Sequence, residues 1–284
     1  MITYFQAIII GILQGITELF PISSLGHSIL LPSLLGWSFQ ENSKFFLDFL
    51  VATHTATALV LFFFFKEDWF KIIGGFFRSL KQREIKNSDA DAKLAWLLIV
   101  ATIPAGIIGL LFEQPIRSLF VSPTFSAIFL TLNGVLLYFA ELLRRKSLSR
   151  VNDPDKNIAK LSWFQAIKVG TLQVLALFPG FSRTGSTLAG SLMVGLNHED
   201  SIRFSFLLAT PIILAASVLK LPDLITPENM PYMGQTLVGA IFAGIFAYIS
   251  VKFLTKYFEN NNLKPFAIYC VLAGLISSIL LLVR

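Results

Sequence analysis

The sequence predicts an all-α integral membrane protein with six transmembrane helices and two pairs of re-entrant helices, arranged as an inverted-topology repeat. Hydrophobic residues make up 55% of the 284 positions and charged residues only 14%, a composition typical of a chain that crosses the bilayer several times. Long apolar runs recur from one end to the other. Because they leave no stretch long enough for a separate soluble core, the sequence predicts a single membrane domain over residues 1–284.

The first half begins with two short apolar segments, 5–20 and 23–36, separated by Pro21. A membrane-spanning helix needs roughly 20 apolar residues at about 1.5 Å each, so neither segment spans comfortably. Such a pair can enter the membrane and turn back. Three longer runs follow and predict spans at about 45–66, 94–112 and 119–143.

The second half repeats the same order of segments. Residues 163–178 and 184–196 form another short pair, which is broken at Pro179-Gly180. Three further runs predict spans at about 202–220, 233–256 and 266–283. The two repeats therefore occupy approximately residues 1–146 and 160–284.

The residues repeat as well as the hydropathy. Residues 5–14 and 164–173 both begin with Phe-Gln-Ala-Ile and both carry Gly and Gln further on, at a constant offset. One deletion then aligns the residues at the two breaks, where Pro21, Ser24 and Ser28 match Pro179, Ser182 and Ser186. Each half crosses the membrane three times, so the halves must have opposite orientations. Inverted repeats of this kind place functional sites where broken helices meet near the middle of the membrane.

The net charge of +6 is explained by membrane topology rather than by a nucleic-acid partner, because the basic residues lie between apolar segments. Basic residues predict cytoplasmic loops after the first and third spans, with Lys71, Arg78, Lys81, Arg83, Lys86 and Lys93 in one and Arg144, Arg145, Lys146, Arg150, Lys156 and Lys160 in the other. The loop 221–232 has acidic residues but no Lys or Arg, as an outer loop should. The two breaks would then enter from opposite sides and meet inside the membrane.

Each break is followed by a predicted helix start. Ser23 and Ser24 can cap the first helix, and Ser182 can cap the second. The two N-termini would direct free N–H groups and positive dipole ends at one point, which makes an anion site. Arg183 adds a positively charged guanidinium, whose fork geometry suits phosphate oxygens. For Ser182, helix capping and phosphate binding are both open roles. The pattern predicts a phosphate or pyrophosphate site at membrane depth.

Three residues around the first break indicate phosphoryl-transfer chemistry in addition to binding. Ser24 offers a nucleophilic oxygen, His27 a base that titrates near neutrality, and Glu18 a carboxylate that can orient the histidine or hold a divalent cation. Singly, Ser24 can be a cap and His27 a hydrogen-bonded core residue, while Glu18 can be a structural partner of Arg183. Together, at two matching intramembrane breaks, they favour a functional site. The other candidates, for substrate binding, are Gln14, Ser23, Gly26, Ser182, Thr184, Gly185, Ser186 and Thr187.

Two motifs cover these breaks, namely Gln14-Gly15-Ile16-Thr17-Glu18 followed by Pro21-Ile22-Ser23-Ser24-Leu25-Gly26-His27, and Pro179-Gly180-Phe181-Ser182-Arg183-Thr184-Gly185. They resemble the motifs of the bacterial undecaprenyl-diphosphate phosphatases, also called bacitracin-resistance proteins. Three further segments also match the family, namely Ile103 to Glu113, 204–209 and 265–269. They extend the resemblance to nearly the whole chain. The resemblance implies a membrane enzyme, dependent on a divalent cation such as Mg²⁺ or Ca²⁺. Its reaction removes the terminal phosphate of a C55 polyprenyl diphosphate, which recycles the lipid carrier of cell-wall synthesis and confers bacitracin resistance.

The resemblance also assigns roles to individual residues. It implies that Ser24 is the nucleophile, His27 a general acid or base, and Arg183 the phosphate-binding arginine. Glu18 matches an acidic position of the family motif. It becomes the main candidate metal ligand, because Gln14 stands where many members have a second carboxylate.

Two mechanisms and one rival function remain open. Either Ser24 attacks the terminal phosphorus while His27 handles the proton, or His27 is itself the nucleophile. A lipid-phosphate transporter would use the same repeat and anion site but needs no nucleophile beside a base. The resemblance implies a location in the bacterial inner membrane with a site open to the outer, periplasmic face, and homodimer formation stays open. It assigns no role to His54, for which core hydrogen bonding is the favoured interpretation.

Overall fold

The computed structural model describes residues 2–37, 44–112, 114–116, 122–144 and 157–283, and this part of the chain is helical without a β-strand. Its α-helices are α1 (Tyr4–Thr17), α2 (Ser24–Leu35), α3 (Lys44–Phe64), α4 (Lys66–Gln82), α5 (Ala90–Leu111), α6 (Pro123–Leu142), α7 (Trp163–Gln173), α8 (Arg183–Met193), α9 (His198–Lys220), α10 (Met233–Tyr257) and α11 (Lys264–Val283). Short 3₁₀ helices cover Val174–Leu177, Leu221–Leu224 and Met230–Tyr232. The predictions that involve Glu113, Arg145, Lys146, Arg150 and Lys156 lie outside the described residues.

Six of these helices are long and apolar enough to cross a membrane, so the prediction of six spans is confirmed and the chain is a multi-pass membrane protein. The candidate spans are Phe45–Phe64, Ala90–Leu111, Pro123–Leu142, His198–Leu224, Met230–Tyr257 and Lys264–Val283. Most of their ends lie within a few residues of the predicted ends.

The predicted short segments are two pairs of short helices, α1 with α2 and α7 with α8. The four helices contain 14, 12, 11 and 11 residues, so the longest extends only about 21 Å, less than the roughly 30 Å of a bilayer core. Both α1 and α7 begin with a capping box, formed by Thr3 with Gln6 and by Ser162 with Gln165. The two pairs therefore begin in the same way, as the sequence match predicts.

Glycines let each pair pack closely against a span. A Cβ atom on Gly11 of α1 would overlap the carbonyl of Gly239 on α10, and a Cβ atom on Gly170 of α7 would overlap the carbonyl of Ala101 on α5. Such small residues allow two helix backbones to approach each other within a membrane. Because Gly11 and Gly170 occupy matching positions in the sequence, the two crossings are equivalent. They hold both breaks among the spanning helices.

Candidate active site

The two breaks touch each other, and Asn133 on α6 joins them. Its Nδ2 donates to the carbonyl of Pro21 (2.9 Å), and its Oδ1 accepts from the N–H of Ser182 (3.0 Å). Thr184 Oγ1 donates to the carbonyl of Glu18 (3.0 Å). Asn133 is not among the site residues predicted from the sequence, although an amide inside an apolar span is costly and so indicates a functional contact.

The caps of α2 and α8 correct the alignment of the breaks. Ser23 Oγ accepts from Gly26 N (3.2 Å), and Ser182 Oγ accepts from Gly185 N (3.0 Å), so Ser23 is the structural equivalent of Ser182. The sequence match, which paired Ser24 with Ser182, is therefore wrong by one residue. Ser24 and Arg183 are equivalent instead, each being the first residue of its helix. Ser23 has a φ of 72°, an uncommon backbone conformation for a residue with a side chain.

A buried carboxylate connects the two repeats. Glu18 is only 6% exposed, and its Oε2 accepts from Ser24 Oγ (2.5 Å) and from Gln14 Nε2 (3.1 Å). Its other oxygen, Oε1, accepts from the guanidinium of Arg183. A second nitrogen of Arg183 donates to the carbonyl of Ala209 (3.1 Å). The structure thus brings together the predicted nucleophile, carboxylate and arginine.

The two histidines occupy different surroundings. His27 Nδ1 lies 2.7 Å from Ser23 O and its Nε2 lies 2.8 Å from the hydroxyl of Tyr269, with the two rings stacked. His27 therefore faces α11, and it does not belong to the wall of the cavity beside Ser24. His54 does line that cavity, and its Nε2 lies 3.2 Å from Glu18 Oε2. The proton-transfer role of His27 stays a prediction.

A cavity of about 540 Å³ opens beside this network. The polar residues at the breaks that line it are Glu18, Ser23, Ser24, Gln173, Ser182 and Arg183. Apolar side chains of α3 and α9 form much of the remaining wall, and Asp48, Lys220 and Asp223 line it as well. The cavity therefore offers polar groups next to an apolar wall, as an amphiphilic ligand requires.

The other candidate residues lie around this site and not in the cavity wall. A Cβ atom on Gly26 would lie 2.9 Å from Gly180 Cα, and one on Gly185 would lie 3.1 Å from Asn133 Oδ1, so both glycines serve close packing between the breaks. Thr187 Oγ1 lies 2.8 Å from Ser205 Oγ on α9. Ser186 Oγ is buried without a partner among the described residues.

The surroundings of Glu18 do not form a complete metal site. Both of its oxygens already face hydrogen-bond donors. In the described ranges, no three His, Cys, Asp or Glu side chains group together as metal ligands. Among the described residues, Glu18 therefore lacks the further protein ligands of a complete metal site.

Comparison with known proteins gives one consistent result. The model of the family described as "Bacitracin resistance protein BacA" matches residues 7–276. The chain is 44% identical over 303 residues to the undecaprenyl-diphosphatase of Mycolicibacterium paratuberculosis, an alignment that covers 100% of this chain and 99% of the relative. It is 45% identical over 286 residues to the undecaprenyl-diphosphatase of Gluconacetobacter diazotrophicus, covering 98% and 97% of the two chains. It is 41% identical over 337 residues to undecaprenyl-diphosphatase 2 of Frankia alni, covering 98% of each.

Proposed function

Because the chain belongs to the BacA family of bacitracin resistance proteins, we propose that it is a phosphatase of undecaprenyl diphosphate. It hydrolyses this lipid to undecaprenyl monophosphate and phosphate in the bacterial membrane. The reaction recycles the lipid carrier of cell-wall synthesis and thereby confers resistance to bacitracin. Its substrate is a membrane lipid, in agreement with six membrane-crossing helices.

The observation that carries this proposal is the contact of Ser24 and Arg183 with one carboxylate beside the cavity. Ser24 Oγ attacks the terminal phosphorus while its proton passes to Glu18, and the bond from that phosphorus to the bridging oxygen breaks. The leaving group is undecaprenyl phosphate. The remaining N–H donors of Arg183 stabilise the charge on the transferred phosphoryl group. Water then cleaves the phosphoserine and releases phosphate.

His27 has two further proposed roles, as the general acid or base and, in the alternative mechanism, as the nucleophile. Either role requires its ring to leave Tyr269, because its Nε2 lies against the Tyr269 hydroxyl and His27 does not line the cavity. Glu18 needs no such movement to accept the proton of Ser24, which favours the serine mechanism. The binding candidates Ser182 and Thr184 then hold the second break against the first, directly or through Asn133, while Gly185 N donates to the cap Ser182.

We further propose that the short helix pairs are re-entrant and that the two halves form an inverted repeat. The matching capping boxes, the equivalent caps at Ser23 and Ser182, and the equivalent glycine crossings support this arrangement. Lys220 borders the loop 221–232 predicted to be outside, Asp223 lies within that loop, and both residues line the cavity. Their position supports a site that opens to the outer, periplasmic face of the inner membrane. Homodimer formation is a separate proposal, to be tested by the mass of the purified protein.

The need for a divalent cation is also a proposal. In many phosphoryl-transfer enzymes Mg²⁺ takes one or two protein carboxylates and completes its shell with substrate phosphates and water. We expect the same division of ligands here, since Glu18 alone is an incomplete site.

The test is phosphate release from undecaprenyl diphosphate by the purified full chain in detergent. Ser24→Ala and Arg183→Ala should each abolish release. Ser278→Ala should not, because that hydroxyl donates to the carbonyl of Gly274 within its own helix and Ser278 does not line the cavity. No release from a folded parent protein would overturn the proposal and favour lipid-phosphate transport, which flux measurements in liposomes would then detect.

A further inference from the structure

One polar side chain in the cavity wall has no hydrogen-bond partner in the part of the chain that the structure describes. Gln173, the last residue of α7, is only 1% exposed and lines the cavity. Neither its Nε2 nor its Oε1 has a hydrogen-bond partner among the described residues. Buried amides are nearly always hydrogen-bonded, because leaving one unpaired costs free energy. The side chain therefore calls for a partner that enters the cavity.

The repeat explains why Gln173 lacks a partner. It matches Gln14 at the constant offset of the two repeats, and Gln14 Nε2 donates to Glu18. At the same offset, the position that matches Glu18 is Leu177. Leu177 also lines the cavity, but its side chain cannot accept a hydrogen bond. The second repeat thus keeps the amide and replaces its carboxylate with an apolar residue.

The chemistry of the neighbouring groups indicates what the partner is. Gln173 precedes the second break and Arg183 follows it, and both residues line the same cavity. A guanidinium and a neutral amide that present N–H donors to one space suit an anion with several acceptor oxygens. A diphosphate has such oxygens.

We propose that Gln173 is a substrate-binding residue that donates from Nε2 to an oxygen of the diphosphate. Its Oε1 accepts a hydrogen bond from water beside the anion. This inference rests on the proposed function, since it places the diphosphate in the same cavity. The amide of Gln173 would add a neutral hydrogen bond to the diphosphate, beside the charged contact that Arg183 makes with it.

The experiment replaces Gln173 with methionine, which has a similar shape but no amide. Affinity for inorganic pyrophosphate is measured by calorimetry in a Ser24→Ala background, which prevents turnover. We expect Gln173→Met to weaken pyrophosphate binding by about tenfold or more, because a hydrogen bond to a charged group is lost. In the active parent background the KM for undecaprenyl diphosphate should rise by a similar factor, with a smaller change in kcat.

Thermal unfolding without ligand separates binding from a structural role. Gln173→Met should leave the unfolding temperature unchanged or raise it, because it removes an unpaired buried amide. Gln165→Met is the matched control. That amide donates to Val194 O and accepts from Ser162 N, so its loss should lower stability and leave pyrophosphate affinity unchanged.

Each outcome is decisive. Unchanged pyrophosphate affinity in both Gln173→Met and Gln173→Leu would overturn the inference even if the parent hydrolyses the lipid. If Gln173→Met instead lowers stability and leaves KM unchanged, the amide is structural and the inference is again overturned. Gln173-dependent pyrophosphate binding by a parent that releases no phosphate would support the inference and overturn the proposed hydrolysis. A folded parent that neither binds nor hydrolyses would overturn both.

Discussion

Replacing Glu18 with glutamine tests whether one carboxylate serves both the proposed nucleophile and the proposed phosphate-binding arginine. The change keeps the shape of the side chain but removes the charge that faces Arg183. In the parent protein Ser24 Oγ donates to the carboxylate of Glu18. The amide that replaces this carboxylate cannot take up the proton of Ser24. Because general-base catalysis typically contributes about 10²–10⁴-fold, we expect phosphate release to fall at least about a hundredfold.

The same substitution should lower stability, because it leaves a guanidinium buried without its counter-charge. Removing one partner of a buried ion pair costs about 3–5 kcal/mol. Arg183 keeps its hydrogen bond to Ala209 O, and its side chain is 16% exposed, so we expect a loss near the lower end, about 3 kcal/mol. Arg183→Met should have a similar effect on the free energy of unfolding. The double variant should lose less than the sum, with a coupling free energy of about 2–3 kcal/mol.

The parent, Glu18→Gln, Arg183→Met and the double variant form a double-mutant cycle. The assay measures chemical unfolding of these four proteins in a fixed detergent, together with their phosphate release. A matched cycle uses Arg78→Met and Asp89→Asn, which break an ion pair that water screens. Its coupling should be much smaller. Equal coupling in the two cycles would refute the buried ion pair, and full activity of Glu18→Gln would refute the role of the carboxylate as the base.

Four further predictions concern the joint between the breaks, helix packing and the chemistry. Asn133→Leu should lower the free energy of unfolding by about 2–4 kcal/mol, because two buried backbone groups lose their partner, and unchanged denaturation would contradict this. Gly170→Val should reduce the unfolding temperature strongly, whereas Gly106→Val, where nothing lies within 4 Å of an added Cβ, should change it little. Mass analysis of a trapped intermediate should find the phosphoryl group on Ser24, and finding it on His27 would replace the serine mechanism. Chelation with EDTA should reduce phosphate release and Mg²⁺ should restore it, while turnover that persists in EDTA would contradict the cation requirement.

The helical elements could be predicted from the sequence because their signals are local. Apolar length identified the six spans, and the short segments on either side of Pro21 identified α1 and α2. The grouping of Glu18, Ser24 and Arg183 could also be anticipated. Polar residues are costly inside a membrane, so their concentration at two matching breaks indicated a shared site.

The orientation of individual side chains could not be predicted in this way. His27 follows Ser24 by three residues, yet its ring stacks on Tyr269, which is far away in the sequence. His54 resembled a core residue in its span, and only the packing of α3 brings it to Glu18. The assignment of equivalent residues at the breaks was decided by the two cap hydrogen bonds, which pair Ser23 with Ser182 at the same offset as the preceding helices.

By itself, the sequence determined the class of protein, the number of spans, the position of both breaks and the chemical types of residue at them. Hydrophobic length and backbone-breaking residues fix these features within a few positions of the chain. The tertiary structure decided which groups share the cavity. It joined the breaks through Asn133, placed His27 against Tyr269 and left the amide of Gln173 without a partner among the described residues. These features depend on contacts between helices distant in sequence, where a rotation of one helix changes which side chain faces the site.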